Sequence, residues 1–421
     1  MPPKRILYLQ HAASLGGSCM SLLTTLQSLD RKRFEPVVAI ANDSADVARF
    51  YESAGFPPVR CSALPFWNHT TGGVTSMVDP RAWAHVAGIA AAWSRGGSAT
   101  LRLVERVKPD LVHLNSVVLS ASASALHDAG VPYVWHVREH PPSQGIRTLI
   151  LRRRLERAGE RVVFISEGDR RAWIGAIPGH VIHNFVEPSA FDLIDRTSAR
   201  TALGLPTEGP LILYVGGLSR IKGILPLLHS LRAVVRAVPE VRVLMPSAVY
   251  KPPATMLSRI VRRALPLVGG GTTGQRALQL LSTSELDRIC IRLPYQRDLR
   301  LAYAAADLLV FPAVRPHFAR PVIEAAAAGV AAIATRLDGI DELVDDGVTG
   351  VLVPPGDSES LAEATISALR SPAGLRRMGD AARARARDRF DARRSTLRIM
   401  ELYDRILSGT PPSAIDYAQA G

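Results

Sequence analysis

Three cysteines in 421 residues, Cys19, Cys61 and Cys290, are too few and too far apart for a disulfide framework or a metal-ligand spacing. That usage fits a reducing compartment, and a cytoplasmic protein is expected. Aromatic residues are sparse at 6%, and no nucleic-acid module or basic–aromatic repeat is visible, so nucleic acid is not an expected partner. No run of about 18 apolar residues occurs, so no transmembrane helix is expected. Met1–Arg5 leads straight into a short apolar strand, Ile6–Leu9, too short for the core of a signal peptide. Acidic residues are missing altogether from Arg242 to Ser284.

What is present is a globular composition, 47% hydrophobic and 21% charged, carrying a formal net charge of +13. The length argues for two domains rather than one core. The basic balance favours anionic partners, with phosphorylated substrates and an anionic membrane face preferred over nucleic acid.

Apolar runs alternate with helical stretches. Strands are expected at Arg5–Gln10, Pro36–Ala41, Leu111–Leu114, Tyr133–His136 and Arg161–Ile165, and again at Leu211–Val215, Val241–Met245, Ile289–Leu293 and Asp307–Phe311. Such alternation predicts an α/β architecture of doubly wound parallel sheets with right-handed crossovers. Glu187–Pro210 is rich in turn formers and reads as a linker, giving domains 1–190 and 208–390. Three polar clusters follow strands: His113 with Asn115 and Ser116, His136 with Arg138, Glu139 and His140, and Ser166 with Glu167. Ligands bind at the carboxyl ends of strands in such sheets, although His140 and Arg138 are equally compatible with a plain surface.

Two stretches suggest phosphate chemistry. Leu211–Val215 runs into Gly216, Gly217, Ser219, Arg220, Lys222 and Gly223 before a helix. Glycines there admit a diphosphate to the backbone, and a lysine at the helix start neutralises it. The second stretch, Phe311–Asp357, reads as strand, sharp loop, helix, strand and glycine-rich return. Its loop carries Arg315, His317 and Arg320; Pro321 suits the first helical position, and Glu324 lies one turn in. A basic helix N-terminus is a ready anion site, and Glu324 would then face sugar hydroxyls such as those of a ribose. At the chain start, Gly16 and Gly17 between a strand and a helix form a further phosphate-approach turn, but without G-x-G-x-x-G it fails as a dinucleotide fingerprint.

The second stretch resembles the donor-binding signature of the family 4 retaining glycosyltransferases. Arg320-Pro321-Val322-Ile323-Glu324, Ala327-Ala328-Gly329, Ala334-Thr335, Gly339 with Glu342, Asp346-Gly347-Val348-Thr349-Gly350 and Pro355-Gly356-Asp357 match it in order. Pro316 stands where the family's first Glu would fall, Ala319 where a Gly is usual, and Gly217 where an Arg precedes the phosphate-binding lysine, here Lys222. The resemblance implies the GT-B fold, two Rossmann-like domains facing across a cleft, with a C-terminal helix at about 392–408 returning to the first.

The same resemblance implies a nucleotide-sugar donor held by Gly16, Gly17, Gly216, Gly217, Arg220, Lys222, Phe318, Ala319, Arg320, Pro321 and Glu324, with the base near Leu293 and Tyr295. His136 falls where the family touches the donor sugar, and His317 stands near the missing Glu. Lys222, His136 and His317 are therefore the catalytic candidates. No Asp-x-Asp is present, so no metal or other cofactor is expected. The expected reaction is retaining transfer to a glycan or polyprenyl-linked acceptor in polysaccharide or glycoconjugate synthesis. A nucleotide-sugar epimerase or phosphorylase on the same fold, and a catalytically degenerate nucleotide-binding homologue, remain alternatives. The acid-free stretch includes a basic amphipathic helix expected at Thr255–Leu265, which either contacts the inner face of the cell membrane or is a solvated loop.

Overall fold

The computed structural model describes residues 2–12, 14–41, 44–59, 61, 95–141, 146–174, 179–192, 194–248, 273–316 and 319–409. The chain divides into two compact units, residues 1–186 with 390–421, and residues 187–389.

In the first unit β1 (Lys4–Gln10), β2 (Phe34–Ile40), β3 (Leu111–Leu114), β4 (Tyr133–Val137), β5 (Val162–Phe164) and β6 (His180–Val181) form one parallel sheet. Its order is β2-β1-β3-β4-β5-β6, and a bridge from Ala39 to Val59 continues the sheet beyond β2. Ile6, Leu7, Tyr8 and Leu9 are all fully buried, which is why β1 reads as an unbroken apolar run rather than an alternating one. The C-terminal helix Ala392–Ser408 lays Ile399, Met400, Leu402 and Tyr403 into the same core as Ile6, Leu22 and Phe34. Two backbone bonds tie its start to the end of the first segment: Val186 N to Phe390 O (3.0 Å) and Ala392 N to Val186 O (2.9 Å).

The second unit is a parallel sheet of β7 (Leu211–Leu213), β8 (Arg242–Pro246), β9 (Cys290–Leu293), β10 (Leu308–Phe311), β11 (Ala331–Thr335) and β12 (Gly350–Val353), in the order β12-β11-β10-β7-β8-β9. The strand order reverses between the parallel neighbours β7 and β10. A crevice opens at the carboxyl ends of two such strands, because their following segments leave toward opposite sides. The loops after β7 and β10 are the Gly216–Gly223 and Pro312–Arg320 stretches singled out above.

The expected linker is ordered structure. Within Glu187–Pro210, Pro188–Phe191 forms a 3-10 turn and Arg196–Ala202 a helix capped by Asp195, which accepts from Thr197 N and Ser198 N. Arg200, 3% exposed, donates to Ala305 O, Thr207 O, Gly209 O and the Asp307 carboxylate. Turn formers mark helix caps as readily as loops, and here they mark a cap. The helix expected at Thr255–Leu265 lies outside the described residues.

Candidate functional site

In the second unit the two loops at the switch point are knitted together. Val314 N donates to Ile221 O (2.9 Å), and Tyr214 Oη donates to Lys222 O (3.2 Å). Gly223 has φ +74°, and a Cβ there would lie 1.6 Å from Pro312 O, so only glycine lets the loop after β7 settle on the loop after β10. From Gly223 the helix Ile224–Ala237 starts with no side-chain cap and no acidic residue in its first turn.

Lys222 sits at this junction, half-buried. Burial lowers its pKa from the ordinary lysine value, and the Glu324 carboxylate pulls it back up. The two residues expected to handle phosphate and ribose are therefore electrostatic neighbours. Glu324 is held on both oxygens: Tyr303 Oη donates at 2.7 Å and Arg320 Nε at 2.7 Å. Arg320 and Glu324 are only 13% and 16% exposed, so this is a sheltered pair rather than a solvated surface bridge. Helix Arg320–Ala327 opens one residue before Pro321 and has no side-chain cap. Ala319 is fully buried at its head.

Sequence reasoning missed two residues here. Tyr303, fully buried on helix Arg300–Ala305, fixes Glu324; no local pattern announces a pairing across 21 positions. Ser247 has φ +64°, a left-handed conformation unusual for serine, and its carbonyl packs beside Gly217. Arg220, expected among the donor-holding residues, is exposed. Leu293 ends β9 and its carbonyl accepts from Ser247 N (3.0 Å), while Tyr295 is 54% exposed. His317 and Phe318 lie outside the described residues.

Part of the signature that carried the resemblance is structural. In Asp346–Gly350, Thr349 Oγ1 accepts from Asp345 N (2.8 Å), and Gly350 runs so close to β11 that a Cβ would meet Ala332 O at 2.2 Å. Asp357 caps the helix Ser358–Leu369, accepting from Glu359 N and Ser360 N. Thr335 Oγ1 donates to Ala313 O (2.6 Å), tying β11 to the loop after β10.

The first unit carries a polar layer at the carboxyl ends of β3, β4 and β5. His136, a sequence-derived catalytic candidate, is 1% exposed, and its Nε2 has no partner among the described residues. It belongs to a buried chain: His136 Nδ1 to His113 Nε2 (3.3 Å), His113 Nδ1 to Tyr403 Oη (2.6 Å), and Tyr403 Oη to Tyr8 Oη (3.1 Å). Burial lowers the His113 pKa to about 3, with Arg138 adding to it, and pushes His136 well below its ordinary value. Both rings are neutral at physiological pH. The outer end of the chain is Arg138, bonded to Asn115 (2.6 Å), Asn184 and His136 (3.3 Å). Glu139 is engaged by Ser116 Oγ, Val117 N (3.0 Å) and Arg138 N (3.1 Å). Gly16 and Gly17 lead into helix Gly17–Ser28; both are exposed, and a Cβ on Gly16 would meet nothing within 4 Å. Among the described residues no group of three or more His, Cys, Asp or Glu converges as metal ligands would.

Residues 195–385 match the family model described as Glycosyl transferases group 1. Curated relatives include a D-inositol 3-phosphate glycosyltransferase of Saccharomonospora viridis, 30% identical over 53% of this chain and 49% of that protein. Another is an N-acetyl-alpha-D-glucosaminyl L-malate synthase of Bacillus anthracis, 22% identical over 54% of this chain and 53% of that one. The chain thus spans about half the length of the curated relatives it matches. Among solved structures, Anabaena HepE in complex with UDP and glucose superposes with a TM-score of 0.73 at 20% identity, over 95% of this chain and 99% of that one. The sucrose-phosphate synthase of Thermosynechococcus elongatus gives 0.71 at 19% identity, over 97% and 100%. Two parallel six-stranded sheets flanked by helices, together with these neighbours, give the chain an α/β two-domain GT-B fold.

Proposed function

We propose that the protein is a retaining glycosyltransferase that moves a sugar from a nucleotide-sugar donor to a glycan or polyprenyl-linked acceptor. The observation that carries the reading is the switch point of the second unit, where Lys222 and the Arg320–Glu324–Tyr303 group meet between two uncapped helix starts. Lys222 and the helix N-terminus at Gly223 would take the diphosphate, and Glu324, oriented by Tyr303 and Arg320, would accept from the ribose hydroxyls. The matched relatives and neighbours, whose names and titles include glycosyl transfer and bound UDP, support the donor class.

The reaction needs a departing diphosphate neutralised. Lys222, Arg320 and the helix starts supply fixed positive potential, with no metal assigned a role. In the retaining course proposed, the acceptor hydroxyl attacks on the face that the diphosphate leaves, and a phosphate oxygen takes its proton. The working place is the cytoplasm, with the acceptor at the inner face of the cell membrane.

Pro316, described and half-buried where the family has a Glu, favours a second reading: a nucleotide-binding homologue without turnover. One experiment separates the readings. Candidate nucleotide sugars are incubated with and without a polyprenyl-diphosphate-linked sugar, and nucleotide diphosphate release is followed. Acceptor-dependent release supports transfer. Isomerised nucleotide sugar without acceptor supports epimerisation instead, and nucleotide binding without turnover supports the degenerate homologue.

A further inference from the structure

We propose that His140, held by Asp169, is the acceptor-hydroxyl site of the first unit; this rests on the transfer reading above. His140 follows β4 and Asp169 lies in the first turn of helix Glu167–Ile174, just after β5. Both stand at the carboxyl ends of neighbouring strands, the edge of a doubly wound sheet that meets ligands.

The pair is built, not incidental. Ser166 and Asp169 have the spacing of a capping box, and Ser166 Oγ does accept from Asp169 N (2.9 Å). In a plain capping box the Asp carboxylate would reach back to the Ser166 backbone N–H. Here it does not. One oxygen accepts from Ser166 Oγ (2.7 Å), and the other lies 3.0 Å from His140 Nδ1. Asp169 is 6% exposed in its side chain, so its carboxylate is spent inside the fold on orienting the ring. The backbone leading to His140 is pinned as well: Trp173 Nε1 donates to Glu139 O (2.6 Å).

A carboxylate on Nδ1 makes that nitrogen the donor. In the tautomer with its proton on Nδ1, the ring presents Nε2 as a bare acceptor. His140 is 16% exposed in its side chain, and Nε2 has no partner among the described residues. The other carboxylate nearby cannot serve, because three donors from Ser116, Val117 and Arg138 already hold Glu139. His136 cannot serve either, since it is buried within the chain to Tyr403. An oriented acceptor lone pair with a solvent-reachable face suits a hydroxyl donor, and a sugar hydroxyl is the donor that transfer brings to this unit. His140 Nε2 accepts the hydrogen bond of an acceptor hydroxyl beside the attacking one and so orients the sugar, which leaves the attacking hydroxyl's own proton to pass to the leaving phosphate oxygen.

The test uses the full chain and four readouts: acceptor-dependent nucleotide diphosphate release, acceptor-independent hydrolysis of the nucleotide sugar, UDP affinity and thermal unfolding. His140→Ala and Asp169→Asn should each lower kcat/KM for the acceptor tenfold or more. Asp169→Asn does so by letting the amide reverse the bond to Nδ1, which turns Nε2 from acceptor into donor. His140→Gln, whose amide oxygen reaches near the place of Nε2, should recover part of the loss, which a purely structural role would not produce. UDP affinity and acceptor-independent hydrolysis should stay at the wild-type level. The proposal is overturned if His140→Ala transfers like the wild type, or if it loses UDP affinity in proportion to activity. If His140→Ala unfolds, the comparison of His140→Gln with Asp169→Asn decides in the same way. A wild-type protein that binds UDP but turns over no nucleotide sugar would sink the transfer reading itself, and this proposal with it.

Discussion

Lys222 shows how one side chain can report on the site. Burial lowers its pKa, with Glu324 pulling the other way, so as pH rises the free site loses its ammonium earlier than an exposed lysine would. A bound diphosphate needs that ammonium. UDP affinity should therefore fall as pH rises, and should do so below the range near ~10.4 where ordinary lysines titrate. Lys222→Arg keeps its charge throughout that range and should show a flatter profile, whatever its absolute affinity. Calorimetric titrations at several pH values check this; a flat wild-type profile removes Lys222 from the phosphate. Glu324 makes a second, separable claim. Glu324→Gln keeps the shape but removes the charge, and should weaken donor nucleotide binding by roughly 1–3 kcal/mol. Tyr303→Phe removes only one of the two donors on Glu324 and should weaken binding less, while lowering stability by about 1 kcal/mol. Equal nucleotide binding in Glu324→Gln and wild type would exclude the ribose assignment.

At the scale of elements, the crevice is made by two loops that touch, and Gly223 is where they touch. Gly223→Ala would place a Cβ against Pro312 O and impose a strained φ, so the loops must part. The variant should be destabilised by more than about 1 kcal/mol and should lose UDP affinity out of proportion to that loss. Melting temperature and UDP titration together test it; a variant with wild-type values for both would show that the loops do not depend on this approach. The elements themselves were legible where burial was complete. Strands β1, β10 and β11 are covered on both faces, and an unbroken apolar run is the imprint of that burial. The stretch from Arg320 to Asp357 was legible as a signature, yet the structure divides its causes. Glu324 lies at the site, whereas Thr349, Gly350 and Asp357 are needed by turns, close strand packing and a helix cap. Less legible were features that need tertiary information. Asp195 looked like part of a linker because capping residues and loop residues are the same types. The Tyr303–Glu324 bond and the Asp169–His140 bond each join residues more than twenty positions apart, and no periodicity encodes them.

For the whole molecule, two compact units in one chain should respond differently to acid. His11, His113, His136 and His180, all in the first unit, have pKa values lowered chiefly by burial, His113 to about 3. The sign follows from proton counting. In the unfolded chain these rings protonate near pH ~6.5; in the folded unit they do not, so below that value the unfolded state binds more protons. Stability of the first unit is therefore complete above about pH 6.5 and is lost as pH falls toward the folded values. His113 alone costs roughly 2 kcal/mol at about pH 5, taking 1.36 kcal/mol per unit between ~6.5 and that pH. The second unit includes a single histidine among its described residues, His229. Its lowered carboxylates, Asp298 and Asp346 among them, lose their contribution only below the ordinary aspartate range. Between about pH 6.5 and about pH 4, acid should thus destabilise one unit and spare the other. Calorimetry across that range should resolve two transitions, one moving down with pH and one nearly stationary. Tryptophan fluorescence assigns the moving one, because Trp135 and Trp173 are buried in the first unit and no tryptophan lies in the sequence of the second. A single transition that shifts as a whole would mean that the two units unfold as one cooperative body. Two transitions shifting equally would mean that the buried histidines do not set the acid limit.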